Sequence, residues 1–103
     1  MLSRGVDITM RSKGYIYPFK NIAEITNSAE VTFGNLESPL SNRGARGDQL
    51  YSFRGNPEAV KGLLYAGFKV LNLANNHSYD YGKKAFEQTL ELLNENNIKV
   101  IGA

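Results

Sequence analysis

The most informative absences in this sequence are cysteine, a long apolar run and a marked excess of charge of either sign. Without cysteine there is no disulfide, no zinc-thiolate site and no thiol nucleophile, although the cellular compartment stays open. No stretch approaches the roughly 20 apolar residues of a membrane span. The 12 basic and 10 acidic side chains leave a net charge of only +2, without the clustered basic face that nucleic-acid binding requires.

The start of the chain also lacks a targeting signal. Met1 to Gly5 has no apolar run of the kind found in signal peptides. We therefore expect any export signal, and any contact with a membrane, to reside in segments outside this chain.

What the 103 residues do contain is enough apolar side chain, 42% of the total, for one modest folded domain. Its pattern alternates between helix and strand periods. We predict strands over residues 30–36, 68–73 and 98–101, helices beginning at Pro18, at Asn56 and near residues 80–82, and a long loop over residues 38–48. Strands alternating with helices predict an α/β fold with parallel strands and crossover helices.

The two later helices have recognisable signals. Asn56-Pro57-Glu58 combines an N-cap residue, proline in the first turn and an early acid, and Gly67 ends that helix. Its predicted inner face carries Val60, Leu63 and Leu64. The predicted inner face of the last helix carries Phe86, Thr89, Leu90 and Leu93, while Glu87, Glu91 and Glu95 line its outside.

Polar clusters follow two of the predicted strands, and ligands of parallel sheets bind beyond such strand ends. The first is Asn35-Leu36-Glu37-Ser38, and the second is Asn75-Asn76-His77-Ser78. If the strands are parallel neighbours, Glu37 and His77 share one rim of the sheet. Folding alone does not require polar groups at both strand ends, so we expect a functional site here.

The residue types suggest specific chemistry. Glu37, Asn35 and Asn76 offer oxygen ligands that suit a hard divalent cation, and His77 could protonate a leaving oxygen as a general acid. Each has a plainer alternative: a solvated loop acid for Glu37, turn chemistry for the asparagines, and packing for His77.

Arginines occupy the long loop or lie beside it, at positions 43, 46 and 54. They could hold an anionic substrate or belong to a solvated loop. We assign substrate binding to Arg54, together with Asn75.

Four segments in order resemble the bacterial capsule-synthesis protein family called CapA or PgsA. They are G-N-L-E-S-P-L at 34–40, F-R-G-N-P at 53–57, A-G-F-K-V-L-N-L-A-N-N-H-S-Y-D-Y-G at 66–82, and the helix that carries Thr89. This family is associated with poly-γ-glutamate production, and its domain is related to calcineurin-like metallophosphoesterases. The resemblance implies capsule synthase subunits or the anionic polymer as partners, and a location at the cell surface.

The resemblance also implies a metal centre of Mn, Mg or Fe/Zn at strand ends. Asn76 resembles the superfamily's metal-ligating amide, His77 resembles its catalytic acid, and Glu37 replaces its bridging carboxylate. Ser78 stands where the superfamily has an acid, which departs from ordinary phosphoesterase chemistry.

The family domain is commonly longer than this chain, so we expect residues 1–103 to form a single partial domain of the metallophosphoesterase-like α/β sandwich. That domain would lack its first strand and its C-terminal part, and with one histidine its metal site would be incomplete. Three functions follow: a role in polymer assembly, export or anchoring; metal-dependent phosphoester hydrolysis; or non-catalytic binding of an anionic polymer or partner. The resemblance leaves open whether the parent protein is an enzyme.

Overall fold

The computed structural model describes all residues from Met1 to Ala103 and consists of four α-helices and three β-strands. The helices are α1 (Arg4–Lys13), α2 (Ala23–Ser28), α3 (Val60–Tyr65) and α4 (Gly82–Glu95). The strands are β1 (Thr32–Asn35), β2 (Phe68–Asn72) and β3 (Lys99–Ile101). Two short 3₁₀ turns, Tyr17–Phe19 and Pro57–Ala59, complete the regular structure.

The three strands form one parallel sheet in the order β1-β2-β3. Asn35 lies opposite Asn72, and Asn72 lies opposite Ile101, so all three strands end at one edge of the sheet. The predicted α/β class is confirmed, as is the prediction that the strands within 30–36 and 68–73 are parallel neighbours. The carboxyl ends of β1 and β2 thus bring both polar clusters to the same side of the domain.

The core lies between the sheet, α3, α4 and the first part of the long loop. Its fully buried apolar side chains include Met10, Leu40, Leu71 and Leu93. Leu40 comes from the segment predicted as a loop, and its backbone N–H donates to the Thr89 hydroxyl of α4 at 3.1 Å. The segment after β1 is therefore irregular, as predicted, but its beginning is anchored inside the molecule.

The helix that follows Asn56 begins as predicted. The Asn56 side chain accepts a hydrogen bond from the Glu58 N–H at 2.9 Å, and Gly67 stands just after the helix with a positive φ of 76°. Val60 and Leu63 are buried, but Leu64 is 43% exposed, so its predicted place on the inner face is wrong. The helix has only six residues, and its buried face consists of Val60, Gly62 and Leu63. Leu64 lies outside that face.

The helical structure near the start differs from the expectation. Pro18 lies in a 3₁₀ turn, and the α-helix in this region begins only at Ala23. The sequence pattern did not predict α1, whose only buried residue is Met10. Most of the residues of this helix are exposed. None of the helices has both the length and the apolar character that crossing a bilayer demands.

Candidate functional site

The rim at the carboxyl ends of β1 and β2 is organised by asparagine side chains. The Asn35 Oδ1 atom accepts hydrogen bonds from the amides of Asn72, at 3.0 Å, and Asn75, at 3.2 Å. The Asn75 amide also donates to the Leu36 carbonyl at 2.9 Å. These bonds tie the segment after β2 to the end of β1, over about 40 positions in the chain.

Asn75, predicted to bind substrate, is fully engaged within the protein. Besides its two donated bonds, its Oδ1 atom accepts from the His77 backbone N–H and the Ser78 hydroxyl, both at 3.1 Å. This arrangement is an Asx turn, which fixes the backbone that carries His77. In the structure Asn75 therefore positions its neighbours, and its assignment to substrate binding stays a prediction.

The central contact of the site joins His77 to Asp80. The His77 Nδ1 atom lies 2.7 Å from the Asp80 Oδ2 atom. A carboxylate at this distance holds Nδ1 as the protonated ring nitrogen and leaves Nε2 as the nitrogen available to a ligand. The sequence reasoning missed Asp80, although its place three residues after the only histidine, within one turn, was a usable signal.

Asp80 is itself fixed by burial and hydrogen bonds. Its side chain is 0% exposed, and it accepts from the Phe53 backbone N–H at 2.7 Å and from the Gln49 amide at 3.2 Å. The Phe53 ring meets the His77 ring edge to face, with 4.7 Å between centroids. The imidazole is thus oriented by a carboxylate on one side and an aromatic ring on another.

His77 remains accessible at the wall of an open cavity of about 480 Å³. Its side chain is 15% exposed, and Asn76, Tyr51 and Leu50 line the same cavity. The Arg4 guanidinium lies 4.5 Å above the centroid of the Phe53 ring. A partly exposed imidazole with one oriented nitrogen can transfer a proton to or from a ligand placed in this cavity.

Glu37 and Asn35 line a neighbouring cavity of about 330 Å³ whose remaining walls are mostly apolar. Met1 lines both this cavity and that of His77, so the two adjoin. Glu37 and His77 therefore follow adjacent strands at one rim but open into different cavities.

The side chains of this chain do not assemble the complete metal centre that the resemblance implies. No group of three or more histidine, aspartate or glutamate side chains comes together in a way that could hold a metal ion. The Asn35 amide oxygen already accepts two hydrogen bonds, and Asp80 is occupied by three donors. These residues would need further ligands from outside the chain to hold a metal ion.

Arg54 lies apart from His77, in a third cavity of about 390 Å³ that it shares with Arg11 and Tyr81. Its guanidinium lies 4.3 Å above the centroid of the Tyr81 ring, and its Nη1 atom donates to the Arg43 carbonyl at 3.1 Å. The backbone at Arg54 exchanges hydrogen bonds with the Ser3 hydroxyl. The structure does not bring Arg54 into the same cavity as His77 or Glu37.

Comparison with known proteins decides the family. The family model described as "Bacterial capsule synthesis protein PGA_cap" matches residues 1–103. The chain belongs to this bacterial capsule synthesis family.

Relatives within the capsule synthesis family agree. The chain is 31% identical over 107 residues to "Capsule biosynthesis protein CapA" of Bacillus anthracis, covering 100% of this chain and 26% of that protein. It is 31% identical over 105 residues to "PGA biosynthesis protein CapA" of Bacillus subtilis (strain 168), covering 100% of this chain and 28% of that protein. The predicted resemblance is confirmed, and the chain spans little more than a quarter of the length of these relatives.

Proposed function

We propose that this protein acts in bacterial capsule biosynthesis, in the assembly, export or anchoring of an anionic polymer of the poly-γ-glutamate type at the cell surface. The observation that carries the proposal is the capsule synthesis family match over all 103 residues. Two relatives whose names state capsule or PGA biosynthesis align with the whole chain. Subunits of a capsule synthase and the polymer itself are the proposed partners.

The geometry supports a site that handles an anionic chain at the sheet rim. The His77 Nε2 atom has no hydrogen-bond partner within the protein, while Nδ1 is held by Asp80. Arg4 adds a positive charge beside Phe53, on the same side of the domain. These features suit binding of a carboxylate-bearing chain next to a histidine whose Nε2 atom can accept a proton and, once protonated, donate it.

Metal-dependent hydrolysis is the less favoured candidate. It would need ligands in addition to Glu37, Asn35 and Asn76, because the side chains of this chain form no metal-binding cluster. Two-metal catalysis requires ligands that clamp both the attacking and the leaving oxygen. Within the proposal, any divalent ion would be completed by residues from outside these 103.

Deletion of the gene in its host tests the proposal. We expect the deletion to lower the cell-surface polymer, measured as glutamate released by acid hydrolysis of polymer that has been extracted from the cell surface and freed of protein, and a wild-type copy to restore it. A deletion strain with undiminished polymer would contradict the proposed role.

The same strain separates a proton-transferring role of His77 from simple binding. If His77 transfers a proton, a His77→Gln copy should restore about one hundredth of the wild-type rate of polymer formation or less, the usual scale for a positioned acid or base. Immunoblots confirm equal protein levels, and Lys20→Gln, at an exposed position, is the control. Full restoration by His77→Gln would identify a non-catalytic binding module.

A further inference from the structure

The cavity that contains Arg54 is separate from the histidine site and is rich in hydrogen-bond donors. Its volume is about 390 Å³. Six side chains that carry hydrogen-bond donors line it, together with the carboxylate of Glu58: Arg11, Ser41, Asn42, Arg54, Asn56 and Tyr81. Arg11 and Arg54 come from distant parts of the chain, so the fold alone brings the two guanidinium groups to one cavity.

The hydrogen bonds around this cavity occupy the side-chain oxygens of Asn42 and Asn56 and leave their amide donors free. The Asn56 Oδ1 atom accepts from the Glu58 backbone N–H. Gln88 Oε1 accepts from the Asn42 backbone N–H, so the Gln88 amide nitrogen must be the donor to Asn42 Oδ1, at 2.9 Å. Both asparagine oxygens are thus engaged, while their NH₂ groups have no partner within the protein. These two free amide donors suit a ligand that only accepts hydrogen bonds.

The two guanidinium groups also keep donors available. Arg54 uses only Nη1, toward the Arg43 carbonyl, and its plane is held against the Tyr81 ring. Arg11 uses only Nε, toward Asp7 at 2.9 Å. The remaining N–H groups of both side chains are unpaired within the protein, and a guanidinium fixed by stacking can bind a carboxylate with little further ordering.

The charge balance of the cavity favours a singly charged group. Asp7 offsets part of the Arg11 charge, and Glu58, which also lines the cavity, pairs with Lys61. The hydrogen bond from Lys61 to Glu58 raises the pKa of the lysine above its ordinary value, so the lysine remains charged at neutral pH. The cavity therefore carries a modest positive charge. That charge balances a single carboxylate better than a doubly charged phosphate.

We propose that the Arg11–Arg54 cavity binds the free α-carboxylates of a γ-linked glutamate chain. The inference rests on the proposed function and adds a second polymer contact, distinct from the histidine site. Arg54 and Arg11 supply charged donors, and the amides of Asn42 and Asn56 supply neutral ones. A polymer with a carboxylate on every unit can engage this cavity while another unit lies elsewhere on the domain.

Isothermal titration of the purified protein with a γ-linked glutamate oligomer tests the inference. Arg54→Gln and Arg11→Gln should each weaken binding by about tenfold or more, as expected for loss of a charge-assisted hydrogen bond. Lys20→Gln removes one positive charge outside the cavity and should change the affinity less than about twofold. Melting curves confirm that each variant is folded, and Arg11, on an exposed helix face, provides the variant least liable to unfold.

Three results would overturn the inference: no binding of the oligomer, equal affinities for Arg54→Gln and Lys20→Gln, or displacement of the oligomer by inorganic phosphate at lower concentration than by free glutamate. Any of these, together with loss of polymer on gene deletion, would reject this cavity and leave the proposed function intact.

Discussion

At the scale of single residues, the environment of the only histidine depends on Asp80. Three donors converge on this buried carboxylate: the His77 ring, the Phe53 N–H and the Gln49 amide. A buried carboxylate is tolerated when its lone pairs are satisfied in this way. Asp80 therefore links residues 49 and 53, in the irregular segment between β1 and α3, to the turn that carries His77.

Replacing Asp80 by asparagine should destabilise the fold. An amide NH₂ group cannot accept a hydrogen bond, so at least one of the three donors loses its acceptor inside the protein. We expect a loss of about 1–3 kcal/mol in the free energy of unfolding, measured by urea denaturation. Asp48→Asn, at an exposed position of the same loop, should change it by less than about 0.5 kcal/mol. Equal effects of the two variants would show that the buried network does not form.

Gly44 is a second residue on which the loop depends. Its φ of 78° is in the left-handed region, and a Cβ atom there would lie 2.0 Å from the Tyr81 carbonyl oxygen. Gly44→Ala should cost about 2 kcal/mol or more, because both the backbone conformation and the contact with the Tyr81 backbone are unfavourable. Thermal melting compared with Gly5→Ala, where a Cβ meets nothing within 4 Å, provides the check. A melting temperature for Gly44→Ala equal to that of Gly5→Ala would contradict this loop conformation.

At the scale of elements, α4 holds the domain together by packing one face against the sheet and the loop. Leu93, Ala85 and Thr89 are almost entirely buried, and the Thr89 hydroxyl binds the Leu40 backbone. The predicted outer face of glutamates is exposed, as expected. The short helix α3 contributes less, since it has only six residues, of which Val60, Gly62 and Leu63 are buried.

Truncation of leucines should distinguish the buried face of α4 from the exposed side of α3. Leu93→Ala should lower the free energy of unfolding by about 2–5 kcal/mol, because it leaves a cavity at a fully buried position. Leu64→Ala, at a 43% exposed position of α3, should cost less than about 1 kcal/mol. Chemical denaturation measures both, and a larger loss for Leu64 than for Leu93 would place Leu64 on the inner face after all.

At the scale of the whole molecule, β2 is the only strand with a neighbour on each side. The edge strands are less protected, as shown by Phe33, which is more than half exposed. The carboxyl ends of the strands gather the asparagines, Glu37 and His77 at one rim, while the Arg11–Arg54 cavity lies outside it. The molecule thus presents two separate polar regions.

Amide hydrogen exchange should follow this strand order. We expect the amides of β2 to exchange more slowly, on average, than those of β1 or β3, because central strands open only with more extensive unfolding. Exchange followed by nuclear magnetic resonance measures this residue by residue. Slower exchange in β3 than in β2 would contradict the arrangement of the sheet.

Local sequence patterns determined the alternation of strands and helices, the Asn56 cap, the buried face of α4 and the polar clusters at two strand ends. Periodicity, capping and turn preferences depend on residues within a few positions of one another, so they can be read along the chain. The family could also be recognised there, because its motifs are continuous segments. The roles of His77, Glu37, Asn35, Asn75, Asn76 and Arg54 remain predictions.

Only the tertiary structure decided which of these residues meet. Asp80 reaches Phe53 across 27 positions, and the Arg54 backbone reaches Ser3 across 51. The Leu64 side chain is exposed and the Leu40 side chain is buried. Burial depends on which other segments pack against each side of an element. Contacts between distant segments arise from the packing of the whole chain, and no local pattern specifies them.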